Sequence, residues 1–183
     1  MERTAQLADW SARAETLTLE TRPFIGGHYV ESRSDGGFDK HNPADGRMLA
    51  HFANGSATDV DLAVAAARKA FVDGVWAHAS IDHRKAVLLR LASLIEQHAD
   101  ELALLETLDV GKPITDSRTI DLPLAGVILR HAAESADHLL GQVHPTDGSS
   151  LAMAVRGPRG VIAGIVGWKF PLVLGVEKSP PAL

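Results

Sequence analysis

Cysteine is missing from all 183 residues, which rules out disulfide scaffolding and fits a cytoplasmic setting. Basic charge is scarce too. Eighteen Lys and Arg stand against 23 Asp and Glu, for a formal net charge of −5, so no non-specific nucleic-acid surface is expected. Long apolar runs are lacking: the stretch V-I-A-G-I-V at 161–166 is far too short to cross a bilayer. Acidic residues at Glu2, Asp9, Glu15 and Glu20 interrupt the first twenty positions, so neither a signal peptide nor a membrane anchor is expected. Aromatics make up 5% of the chain, but 45% hydrophobic and 22% charged residues are ordinary for a soluble domain with a core.

Local patterns supply the elements. Residues 1–21 predict an amphipathic helix through Leu7, Trp10, Ala14 and Leu17, ended by Pro23. Segments 24–31 and 37–41 flank the S-R-S-D-G turn at 32–36 and predict a β-hairpin. Ser56 to Asp59 caps a helix through Phe71, stopped by Asp73 and Gly74. Ser80 opens the next, with Val87, Leu88, Leu91, Leu94 and Ile95 on one face. Leu102, Leu105 and Leu108 continue helical spacing until Gly111 and Pro113. Asp121 begins another helix with Pro123 in its first turn, whose apolar side is Leu124, Val127, Ile128 and Leu139. Residues 142–156 read as a second hairpin around T-D-G-S-S at 146–150. The run at 161–166 is continuous rather than alternating, the pattern of a parallel strand buried on both faces. Gly167 to Pro171 breaks it, and 172–178 provide one or two helical turns before Pro180 and Pro181. A strand, a tight turn and a helix start open many nucleotide-binding units.

Four of these segments also carry a family resemblance. G-V-I-A-G-I-V-G-W-K-F-P-L at 160–172 resembles a signature of the NAD(P)-dependent aldehyde dehydrogenases, and L-E-T-L-D-V-G-K-P at 105–113 resembles a second block of that family. F-I-G-G at 24–27 and N-P-A-D-G at 42–46 resemble its N-terminal elements. Their order and spacing agree over 24–183, and within the family they point toward γ-glutamyl-aminobutyraldehyde dehydrogenases. The resemblance implies an α/β fold: the N-terminal part of a Rossmann-like cofactor domain with β-hairpin oligomerisation strands, incomplete. Residues 1–23 would be a helical arm and 24–183 a partial cofactor-binding and oligomerisation region. It also implies an aldehyde substrate and NAD or NADP as cofactor. The family's nucleophile is a cysteine thiolate, and the intermediate on it is covalent. With no cysteine, this chain is expected to be the N-terminal third of such an enzyme, inactive alone and binding the cofactor weakly or not at all. The alternative is a non-catalytic protein that co-assembles with a full-length homologue, or with itself, through the 142–156 hairpin.

The resemblance implies individual roles as well. Ile165, Val166, Gly167 and Trp168 would contact the cofactor, although Ile165 and Val166 read equally as strand core. Lys169 stands where the family has an asparagine that donates to the developing oxyanion, a contribution worth ~3 kcal/mol. An ammonium on a long stem in a site shaped for a short amide reads as an impaired position or, less simply, a working variant. Further departures fall at Gly157, Gly167 and Glu177. Asp109 resembles a position that helps hold a monovalent cation; a carboxylate bonded to backbone N–H groups at a helix end is the alternative. The glycines at 157, 160, 164 and 167 do not form a G-x-G-x-x-G cradle. His131, Glu134 and His138 read as a solvated helix face.

Overall fold

The computed structural model describes residues 2–183, with side chains described from Asp9 onward; Met1 and the Leu7 side chain lie outside the described residues. Helix α1 covers Glu2–Thr16, and Arg13 ties it to Asp100 at 3.1 Å. Two short strands, β1 (Phe24–Ile25) and β2 (His28–Tyr29), then pair around Gly26 and Gly27. Both glycines have positive φ, which the tight reversal requires. Strands β3 (Gly37–His41) and β4 (Met48–Ala53) form a separate antiparallel ribbon, with Phe38 and Phe52 stacked across it at 5.8 Å. The expected pairing of 24–31 with 37–41 is therefore corrected: each segment has a nearer partner. The turn joining β3 to β4 is built by N-P-A-D-G, where the Asn42 side chain accepts from the Ala44 N–H at 2.9 Å and Gly46 takes φ +73°.

Helix α2 (Ala57–Val72) begins on a capping box formed by Ser56 and Asp59. Asp59 also accepts the Arg33 N–H and the Ser32 hydroxyl, so one carboxylate closes both the helix start and the preceding turn. Hydrogen bonds, chiefly from the Ser56 N–H, hold its pKa down to about 2 from 3.8. A folded pKa below the unfolded one means that stability from this group is complete above about pH 4 and is lost as the pH falls toward 2. Asp59→Asn is expected to flatten the acid-unfolding curve over that interval, as followed by circular dichroism.

Helices α3 (Ile81–Gln97), α4 (Ala99–Val110), α5 (Ile114–Asp116) and α6 (Leu122–Ser135) make the body, joined at the end by α7 (Pro171–Ala182). Ser80 caps α3 through the His83 N–H, and Gly111 ends α4 at φ +77°. The core is Leu88, Ala92, Ile95, Ala99, Ala103, Leu122, Ala125, Leu129, Ala133 and Val176. Leu88 and Ile95 lie in it as expected and Ile128 packs against it, but the rest of the expected faces is corrected. Val87, Leu91, Leu124 and Val127 face outward, as does Leu139 beyond α6, while fully buried alanines occupy the seam. Small side chains let the backbones of α3 and α6 approach closely, so packing selects the alanine face over the bulkier one. A π-helical turn, Ser117–Asp121, leads into α6 and buries both Ser117 and Asp121.

Strands β5 (Gln142–His144) and β6 (Ala152–Ala154) pair as the sequence predicts. Residues 161–166 correct it: no strand forms there, and Ile165 is 91% exposed. A doubly buried strand needs a strand on each side, and among the described residues the three two-stranded ribbons lie elsewhere and none takes up 161–166. Helix α7 also corrects the expected stop at Pro180, since it runs through both prolines. Proline φ suits a helix, although each proline lacks the N–H that would bond the carbonyl four residues back; Leu183 closes the last turn by donating to the Ser179 and Pro180 carbonyls. Among the described residues no helix is long and apolar enough to cross a membrane.

Candidate functional site

Three sequence blocks far apart in the chain meet at the C-terminal end of α4. Gly111 is the joint between the first two: a Cβ there would lie 3.0 Å from Pro43 Cγ. The positive φ and this close approach each demand glycine. Immediately beyond, Lys112 turns inward and its ammonium bonds Glu106 Oε1 at 2.8 Å and Asp121 Oδ2. Glu106 and Asp121 are almost fully buried. Burial pushes the Glu106 carboxyl up, while Oε2 of that residue has no hydrogen-bond partner. Burial also acts against the Lys112 ammonium, but the hydrogen bonds of Asp121 and Glu106 outweigh it and raise the lysine pKa. The π-helical turn is what brings Asp121 inward to this lysine.

The third block, G-W-K-F-P, is seated on this base through its two aromatic rings. Phe170 lies against Lys112, with the ammonium 4.2 Å from the ring centroid. Trp168 lies against Lys40, 3.8 Å from ammonium to centroid. Such contacts are worth about 0.5–2 kcal/mol each, more as water is excluded. Asp109 completes the second seat: its Oδ1 pairs with Lys40 at 2.8 Å and its Oδ2 accepts the Trp168 indole N–H at 2.8 Å. Lys40 also donates to the Asp109 backbone carbonyl at 2.7 Å.

The residues singled out from sequence fall into place as follows. Trp168 and Asp109 are in direct contact. The Asp109 carboxylate holds an ammonium of the protein itself and an indole N–H, in place of the backbone N–H groups expected at a helix end. Lys169 is exposed and lies 5.1 Å from the Phe170 ring centroid. Ile165, Val166 and Gly167 are exposed, with Gly167 near Leu174 of α7. Sequence reasoning missed Lys40, Glu106, Lys112 and Asp121. Lys112 stood inside a quoted motif, and a lysine next to a helix-ending glycine with acids at 106 and 121 was the available signal. Lys40 carried none.

Along the turn Ile165 and Trp168 expose apolar surface, a ledge, and Lys169 exposes an ammonium.

Comparison with known proteins identifies the family. Residues 29–183 match the model of the aldehyde dehydrogenase family. The NADP/NAD-dependent aldehyde dehydrogenase PuuC of Escherichia coli K12 is 47% identical over 177 residues, which are 97% of this chain and 36% of that protein. The γ-glutamyl-γ-aminobutyraldehyde dehydrogenase of Burkholderia cenocepacia J2315 superposes with a TM-score of 0.91 at 46% identity, over 96% of this chain and 36% of that one. The indole-3-acetaldehyde dehydrogenase of P. syringae, solved as a mutant with NAD+ and IAA, gives 0.92 at 45% identity over 96% and 35%. The chain thus spans about a third of the length of the relatives it matches. On this match of sequence and fold, it belongs to the aldehyde dehydrogenase family and corresponds to its N-terminal region.

Proposed function

We propose that this polypeptide is the N-terminal portion of an NAD(P)-dependent aldehyde dehydrogenase, supplying a scaffold and one wall of the cofactor site. In this reading, residues 1–23 are an arm and 24–183 the partial cofactor-binding and oligomerisation region. The observation that carries it is the convergence of 42–46, 105–113 and 167–171, which presents the turn with its ledge outward. Ile165, Val166, Gly167 and Trp168 would bear on the cofactor, and Lys169 would stand nearest the developing oxyanion. Bound NAD(P) would supply hydride acceptance; the residues here would position it and exclude water from one side. Covalent attack on the aldehyde carbon requires a thiolate, and the chain has no cysteine to provide one. Glutamyl-aminobutyraldehyde is the substrate class favoured for the whole enzyme, by likeness to the Burkholderia cenocepacia protein named for it.

One wall of a cleft buries too little of a dinucleotide to hold it. Isothermal titration of the chain with NAD+ is expected to give no saturable binding. A saturating isotherm in the micromolar range would overturn the one-wall reading.

A second reading draws on the β5–β6 ribbon, where Val143, Leu151, Met153 and Val155 are all exposed. Such a ribbon leaves edges open for pairing, which favours assembly with another copy or with a full-length homologue. Co-purification with an intact dehydrogenase that is lost on Val143→Lys would support it; a strictly solitary chain would refute it.

A further inference from the structure

Lys40 lies outside the four motifs that carry the family resemblance, yet it touches two of them. It sits where the β3–β4 register shifts between Lys40 and His41. Such a bulge re-aims a side chain out of the regular alternation. From there the ammonium reaches the Asp109 carbonyl at 2.7 Å, Asp109 Oδ1 at 2.8 Å and the face of Trp168 at 3.8 Å. Asp109 Oδ2 accepts the indole N–H of that same ring. The three groups close a loop: ammonium to carboxylate, carboxylate to indole N–H, indole face back to ammonium. The lysine side chain is 14% exposed, whereas Trp168 as a residue is 60% exposed. One side of the indole is therefore clasped while the other is open.

We propose that Lys40 is a positioning residue: it fixes the rotamer of Trp168, and with it the orientation of the 167–170 turn, by filling the inner face of the indole while Asp109 holds its N–H. This deepens the proposed function, on which it rests, by naming what aims the ledge. An isolated, half-exposed tryptophan exchanges rotamers on the picosecond-to-nanosecond scale. A ring held at its face and at its N–H does not, and the turn behind it is held in register. Arginine keeps the charge and stacks on aromatic rings, whereas methionine keeps the length and abolishes the charge.

The test is a 1H–15N correlation spectrum of the labelled chain, which reads the indole N–H groups of Trp10, Trp76 and Trp168 individually. Trp168→Phe assigns the third signal. The signal is expected to be sharp and displaced by its carboxylate partner in the unaltered chain, and displaced likewise in Lys40→Arg. In Lys40→Met it should move toward the random-coil position and broaden, with Trp76 unmoved. A purely structural role would shift Trp76 as well or leave Trp168 in place, and either result overturns the proposal. If Lys40→Met does not fold, Lys40→Arg against Asp109→Asn gives the same contrast: the signal is kept in the first and lost in the second, and retention in both refutes the clasp. No cofactor enters the measurement, so its failure leaves the NAD reading intact, and failure of the NAD reading leaves the clasp intact.

Discussion

Replacing Lys112 with alanine is expected to cost about 3–5 kcal/mol of folding stability, the range found when a buried ion pair loses one partner. Two carboxylates, Glu106 and Asp121, would then be left against each other with 4% and 3% exposure. Surface lysines lose far less, because water replaces their partners. The loss would also depend on pH, and its sign follows from Glu106. Burial already raises that carboxyl above its ordinary value of 4.5, and removing the ammonium would raise it further. A raised folded pKa favours the fold at low pH, so stability of the variant would be greatest below about pH 4.5 and would fall as the pH rises through the raised value. Denaturant titrations of the two proteins at pH 4.5 and 7.5 check this: the gap should widen at the higher pH. Pairing Lys112→Ala with Glu106→Gln should recover part of the loss, since one of the two stranded charges is gone.

The second large effect lies in the core. Leu129 is fully buried on α6 and belongs to the seam with α3 and α7. Leu129→Ala is expected to lower stability by about 2–5 kcal/mol, through lost transfer energy plus the cavity left behind. The upper half of that range is favoured by its surroundings. Ala92, Ala125 and Ala133 have no flexible side chain with which to fill the void. Leu124→Ala, five residues earlier and facing solvent, should change stability by no more than about 0.5 kcal/mol. The two variants together test the phase of the helix, which the pattern of large residues alone misassigned.

That misassignment shows what the sequence could carry. Caps and turns are written in one or two residues with a direct chemical meaning, and Ser56, Ser80, Gly111 and the 146–150 turn all fall where their chemistry places them. Helix faces are set by what lies opposite. A count of Val and Leu on α3 and α6 does not register that alanines permit the closer approach. The stretch 161–166 failed for a related reason: its composition describes a strand between neighbours, and among the described residues no strand lies beside it. The candidate site was half legible. Trp168, Lys169 and Asp109 were named because motifs contain them, while the contact between Trp168 and Asp109 was not foreseen. Lys40 and the buried Glu106–Lys112–Asp121 group depend on a bulge and a π-helical turn, irregularities with no spacing rule to reveal them.

The central claim is that covalent aldehyde oxidation needs chemistry this polypeptide does not contain. It is tested most directly by incubating the purified chain, free of any other dehydrogenase, with NAD+ and γ-glutamyl-aminobutyraldehyde while following NADH absorbance. The account predicts no NADH above the level of a protein-free control; NADH appearing in proportion to aldehyde consumed would contradict it.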